Sequence, residues 1–192
     1  MAGSKVLAVV PARSGSEGLP NKNVLAISGK SLLERAIGFG LQLELDGVIV
    51  STDDPSYATL ASAAGATTLG LRNAAASNST AMEPDIIDDL NSKFVEFDYT
   101  PPDIVVWIRP TFVFRSLSAT KECISHVASG RFNASRVVTP VDPRRYSIQG
   151  SEITPIFDTR GASMVRRQGM EEQVSVFNID VFKWPNSPCR QD

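Results

Sequence analysis

A chain of 192 residues is long enough for one well-buried core and too short for two full-sized domains. With 42% hydrophobic residues and a formal charge of −2, it has an ordinary soluble composition and no polybasic block to follow a nucleic-acid backbone, which argues against DNA or RNA as a partner. The N-terminal apolar run, Val6 to Val10, is far shorter than a signal-peptide core and no later run reaches a spanning length, so a cytoplasmic protein with no membrane partner is expected. Cys123 and Cys189 lie far apart with no metal-ligand spacing, which favours reduced thiols and suggests no zinc site.

In chain order, "KVLAVVPA" reads as a buried central strand ended by Pro11, which cannot donate to a ladder. A polar loop follows, and then a helix that opens on a Ser31/Glu34 capping box, with Leu32, Leu33, Ala36, Ile37 and Leu41 on one face. "GVIVST" is a second strand. The helix after it takes Asp54 as N-cap and Pro55 as its first residue, with Gly65 beyond its end. A short strand "ATTLG" precedes a long polar loop, residues 72–80, and helical spacing resumes with Thr80 and Glu83 in capping-box register. "DIVVWI" is another apolar strand; Leu117 to Ser129 forms a helix stopped by Gly130, and "SRVVTPV" a strand. Beyond Asp142 the pattern changes: "YSIQGSEITPIF" predicts two short strands around a Gly-Ser turn, and "QVSVFNIDVF" returns to a sheet. Strands alternating with helices call for α/β architecture with a parallel sheet covered on both faces. Residues 1–192 are expected to form one domain, with 141–172 as a small β-rich excursion.

In such a sheet ligands sit beyond the carboxyl ends of the strands, so "PARSGSEGLPNKN", after the first strand, is the best-placed loop. Gly15 and Gly18 would let backbone N–H groups approach an anion, Arg13 offers a bidentate fork and Lys22 a mobile positive charge. The stretch matches neither the Walker A pattern nor the dinucleotide G-x-G-x-x-G, so a phosphate cradle and a merely structural glycine turn both remain open on chemistry alone. Elsewhere the plainer readings prevail. Asp53 and Asp54 could be thought a metal site, but Asp54 is accounted for as a cap. Asp85, Asp88 and Asp89 read as a solvated helix face, Arg144 and Arg145 as surface charge, His126 as structural and Trp107 as core.

The segments "PARSGSEGLPNKN", "GKSLLERAI", "VIVSTDD", "LRNAAASNSTAMEP", "VVWIRPTFVFR" and "RRQ", in that order, resemble the signature of the acylneuraminate (CMP-sialic acid) cytidylyltransferase family over nearly the whole chain. The resemblance implies a Rossmann-like three-layer nucleotidyltransferase sheet whose excursion supports a homodimer. It also implies a Mg²⁺-dependent transfer of CMP from CTP to an acidic 2-keto sugar, with release of pyrophosphate. Carried over by position, Arg13 and Lys22 are the expected catalytic cations. Ala12, Arg13, Ser14, Gly15, Ser16, Lys22, Asn23, Arg72 and Ser77 are expected around the nucleotide, and Arg109, Thr111, Arg115, Arg167 and Gln168 around the sugar acid. Glu17 stands where the family has lysine, Ser79 where aspartate is common, and "TFVFR" where it has "TSPLR". The family's metal-binding "D-x-D" segment finds no counterpart before Asp192, so the metal ligands stay unassigned. Two alternatives remain open: a catalytically impaired nucleotide-binding homologue, and a cytidylyltransferase for another sugar acid such as 3-deoxy-manno-octulosonate.

Overall fold

The computed structural model describes residues 3–15, 18–156 and 173–185. Two compact units are distinguished: Met1–Val137 with Phe177–Asp192, and Val138–Val176.

The first unit is built around strands β1 (Val6–Pro11), β4 (Gly47–Ser51) and β5 (Ile104–Ile108), preceded and separated by the elements that cover them. Between β1 and β4 the chain makes a 3-10 turn, Lys22–Val24, and a two-residue hairpin of β2 (Ala26–Ile27) and β3 (Lys30–Ser31). It then enters α1 (Leu32–Gln42). The small hairpin is absent from the sequence reading, since two residues carry no period. The capping box of α1 forms as expected: the Glu34 N–H donates to Ser31 Oγ, and the Ser31 N–H returns to Glu34 Oε2 at 2.8 Å. The buried face of α1 is Leu33, Ala36, Ile37, Phe39 and Gly40; Leu41, expected inside, is exposed.

After β4, α2 (Pro55–Ala63) starts on the Asp54 cap and is followed by Gly65 at φ +92°. The expected strand "ATTLG" reduces to a single parallel bridge between Thr67 and Ile49. The expected loop 72–80 contains one helical turn, α3 (Ala74–Ser77), capped by Asn73. Helix α4 (Glu83–Glu96) begins two residues later than the Thr80 cap predicted: Thr80 instead turns its hydroxyl to Asn78 Oδ1. Met82 occupies the cap position, its N–H satisfied by Asp85. Helix α5 (Leu117–Ala128), β6 (Ala134–Val141), β7 (Tyr146–Gln149), β8 (Glu152–Pro155) and β9 (Gln173–Lys183) complete the described elements.

The main sheet has the order β4-β1-β5-β9-β6. β1 lies parallel to both β4 and β5, with Pro11 opposite Ser51 and Val9 opposite Trp107, whereas β9 runs antiparallel to β5, with Asp180 opposite Trp107. Alternate residues of each strand face opposite layers. Ala8, Val10, Val48, Val50, Val106 and Ile108 pack towards α1, α2 and α5, while Leu7, Val9, Ile49, Val105 and Trp107 pack towards Ile86, Leu90 and Phe94 of α4. The result is a three-layer α/β fold with a parallel-rich central sheet. Large side chains sealed at zero or one per cent exposure, such as Leu7 and Trp107, each contribute roughly 1.5–3 kcal/mol by leaving water. In the second unit β7 and β8 pair antiparallel, with Tyr146 opposite Pro155 and Ile148 opposite Ile153.

Candidate functional site

The parallel strands β1, β4 and β5 all deliver their following loops to one edge of the sheet, where the switch of direction on either side of β1 leaves room for a ligand. A cavity of about 400 Å³ opens there, and its lining includes Arg13, Lys22, Asn23, Arg72, Arg109 and Thr111. Six positions singled out in the sequence thus share one cavity, although they span nearly a hundred residues of chain. Its apolar side is made by Met82, Pro84, Ile86 and Trp107, none of which the sequence marked as functional. Trp107 was read as core, and both descriptions hold: it is one per cent exposed and its remaining surface faces the cavity.

The loop after β1 is anchored through polar groups. Ala12 continues the ladder by donating its N–H to Ser51 at 2.9 Å and is fully buried. Ser14 donates its N–H to Asp53 Oδ1 at 2.8 Å and its hydroxyl to Oδ2 at 3.1 Å, so both donors are taken by a residue at the end of β4. Asn23 is buried and donates its amide to the Arg13 carbonyl at 2.9 Å. The Arg13 guanidinium reaches the Asn78 carbonyl at 2.7 Å. Lys22 lines the cavity, and no ion-pair partner for its ammonium is found among the described residues. A Cβ at Gly15 or Gly18 would meet open space and neither backbone is left-handed, so the protein's own packing does not demand glycine at either position. Ser16 and Glu17 lie outside the described residues.

Arg72 is eight per cent exposed. Its Nε donates to Ser51 Oγ at 2.7 Å, and Nη2 donates to the Ser51 carbonyl at 2.8 Å. Burial lowers its pKa to about 10, with the more distant Asp53 and Asp89 working the other way. A guanidinium supported by carbonyls and a hydroxyl, with no carboxylate in contact among the described residues, keeps its charge available to an anion in the cavity. Ser77, expected beside it, turns its hydroxyl to the Asn73 carbonyl at 2.6 Å and does not line the cavity; Ala76 and Ser79 do.

Arg109 follows β5 and is bracketed by acids. Asp180 approaches at 2.7 Å from β9 and Glu83, at the start of α4, pairs with it directly. Burial opposes the Arg109 charge, but Glu83 and Asp180 more than compensate and raise its pKa. Asp180 also receives Arg136 at 2.6 Å, so a chain of four charges, Glu83, Arg109, Asp180 and Arg136, starts at the cavity lining and runs behind Arg109. Thr111 lies exposed at the rim.

Arg115, expected near the sugar acid, is not part of the cavity lining. Its Nη2 donates to the carbonyls of Arg109 and Pro110 at 2.8 and 3.3 Å, and its guanidinium lies over Phe39 at 5.7 Å. Desolvation in that position lowers its pKa to about 10. Arg115 therefore braces the turn that carries Arg109. Arg167 and Gln168 lie outside the described residues.

The expectation of a solvated face at Asp85, Asp88 and Asp89 also needs correction. Asp88 is exposed and Asp85 caps the helix start, but Asp89 is three per cent exposed and accepts the Asn73 N–H at 3.0 Å. Helical period alone could have flagged it, because Asp89 falls one turn before Lys93 on the same side as Ile86 and Leu90.

Comparison with known proteins places these features in context. A family profile described as cytidylyltransferase matches residues 7–161. The CMP-N,N'-diacetyllegionaminic acid synthase of Legionella pneumophila is 31% identical over 156 residues, 79% of this chain and 67% of that protein. An N-acylneuraminate cytidylyltransferase of Escherichia coli is 47% identical over 64 residues, which are 33% of this chain and only 15% of the longer protein. Among solved structures, a CMP:2-keto-3-deoxy-manno-octonic acid synthetase complexed with CTP superposes with a TM-score of 0.64 at 17% identity, covering 94% of this chain and 74% of that one. A 4-diphosphocytidyl-2C-methyl-D-erythritol synthase gives the same TM-score at 16% identity, over 95% and 76%. At these identities the structural likenesses establish the fold.

Proposed function

The chain belongs to the cytidylyltransferase family, and from that premise we propose that it transfers CMP from CTP to an acidic 2-keto sugar, releasing pyrophosphate. The observation that carries this reading is the convergence of Arg13, Lys22 and Arg72 on one cavity at the carboxyl ends of the parallel strands. In the proposed reaction a sugar hydroxyl attacks the α-phosphorus of CTP. The bond from that phosphorus to the β-phosphate bridging oxygen breaks, and the negative charge moves onto pyrophosphate. Arg13 and Lys22, flanking the loop after β1, supply positive charge where the leaving group develops its own, the main lever in transfers of this type. Ala12, Ser14, Gly15 and Asn23 shape that loop. Arg72 borders the nucleotide from the opposite wall, and Arg109 and Thr111 lie on the side assigned to the sugar acid.

Magnesium dependence belongs to the proposal, but the described residues offer the ion no ligand set. No group of three metal-ligating side chains is found among them, and Asp53, Glu83 and Asp180 are each engaged by donors or cations. CTP phosphates are themselves Mg²⁺ ligands. The proposal extends to a cytoplasmic homodimer. Among the described residues no helix is long and apolar enough to cross a membrane. The β7–β8 hairpin presents Tyr146, Ile148 and Ile153 on one exposed face, with Ile148 71% accessible, and a two-stranded hairpin with such a face gains from a partner surface.

The direct test is pyrophosphate release from CTP and Mg²⁺ with a panel of sialic, legionaminic and octulosonic acids. Turnover with at least one acid is the expected result, and none with any acid defeats the reading. The engagement of Arg109 by two carboxylates favours a second reading, a homologue that binds nucleotide without using it. Calorimetric CTP binding in the absence of turnover selects that one.

A further inference from the structure

Asp89 and Lys93 form an ion pair on α4 at 3.8 Å, one helical turn apart, with side chains three and ten per cent exposed. Burying two charges costs free energy that their attraction rarely returns in full, and a well-packed apolar pair of the same volume usually serves stability as well or better. What the pair does contact is specific. Asp89 Oδ1 accepts the N–H of Asn73 at 3.0 Å, and Lys93 Nζ donates to the carbonyl of Leu71. The peptide groups on both sides of Arg72 are therefore held from α4, while the N–H of Arg72 itself donates to Thr52 at 2.8 Å.

The circuit closes through α3. Asn73 Oδ1 accepts the Ala76 N–H at 2.8 Å, and the Ala76 carbonyl accepts Arg72 Nη1 at 3.4 Å. Gly70 makes the approach possible: at φ +70°, a Cβ there would stand 3.1 Å from the Phe97 ring and 3.6 Å from Lys93 Nζ. A side chain at position 70 would displace the chain just where Lys93 must reach Leu71.

We propose that Asp89 and Lys93 are positioning residues for the nucleotide site: the buried pair fixes the backbone on either side of Arg72 and so sets where its guanidinium stands in the cavity wall. The inference rests on reading that cavity as the nucleotide site.

The test is the double variant Asp89→Asn/Lys93→Met, which removes both charges at nearly constant shape. The variant is expected to fold, as judged by circular dichroism, and to bind CTP about tenfold more weakly by calorimetry, with an unchanged KM for the sugar acid. In an Arg72→Ala background the same double change is expected to have no further effect on CTP affinity, because the residue it positions is gone. A folded double variant that binds CTP within twofold of the parent overturns the inference, as does an equal loss in both backgrounds. If the double variant does not fold, Lys93→Met alone is carried through the same measurements with the same two criteria. If the parent protein itself binds no CTP, the functional reading fails, and the positioning inference is decided by the NMR signal of the Arg72 Nε–H. Slow exchange in the parent that is lost in the variant supports it, and unchanged exchange overturns it.

Discussion

Asp180 on β9 and Arg109 after β5 meet at 2.7 Å across an antiparallel strand pair, and the same carboxylate holds Arg136 at 2.6 Å through its other oxygen. One acid that is one per cent exposed thus balances two cations, of which Arg109 lines the cavity. Removing one partner of a buried pair strands the other charges, so Asp180→Ala is expected to cost about 3–5 kcal/mol in urea unfolding. Asp180→Asn, which keeps the shape and an acceptor, should cost less. A loss below about 1 kcal/mol for the alanine variant would show that the network is not sealed from water.

Arg13 is placed for chemistry more than for stability, since among the described residues its guanidinium donates only to the Asn78 carbonyl, from a partly exposed position. Arg13→Ala should lower pyrophosphate release by about 10²–10³-fold. The midpoint of unfolding should stay within the equivalent of about 0.5 kcal/mol. A stable variant with near-parent turnover argues that another group carries the leaving-group charge.

Asp53 ties the loop after β1 to the end of β4 through both donors of Ser14. Asp53→Ala leaves two partly buried donors without their acceptor, an expected loss of about 1–3 kcal/mol. CTP binding should weaken with it, because the loop bearing Arg13 is released. Calorimetry on the folded variant checks the second point; unchanged CTP affinity would mean that Ser14 and Asp53 serve the fold alone.

The α1 capping box couples stability to acid. Hydrogen bonds from Ser31 hold the Glu34 pKa below its ordinary value of 4.5. A depressed carboxylate pKa contributes stability that is fully present above the unfolded-state value and is lost as pH falls through the folded-state value. Ser31→Ala should therefore cost about 1 kcal/mol near neutral pH. The gap between parent and variant should narrow below about pH 4.5. Chemical denaturation at pH 7 and at pH 3.5 reads the difference directly, and a gap that is constant with pH would place the effect on the serine alone.

The features legible in the amino-acid order are those with local causes. Continuous apolar runs gave β1, β4 and β5, the Ser31 and Asp54 caps set two helix starts, and Pro11 with its polar successors located the loop at the site. Failures fell where local rules compete. Thr80 and Glu83 satisfy a capping-box spacing, yet Pro84 at the second helical position and the turn at Asn78 moved the start of α4 to Glu83. Leu41 fits the face predicted for α1, but the sheet below it takes Phe39 and Gly40, whose missing side chain admits Val48.

By itself the sequence determined the alternation of strands and helices, the family to which they belong and the loop at which ligands must gather, because period, capping and motif are encoded over a few neighbouring residues. Only the tertiary structure decided which charges are buried and whom they face. Glu83 meets Arg109 from 26 residues away and Asp180 meets Arg136 from 44, while Arg115 braces the Arg109 carbonyl, and Asp89 leaves the expected solvated face to hold Asn73. The energy of a buried charge depends on its partners and its distance from water, and chain folding alone brings those together.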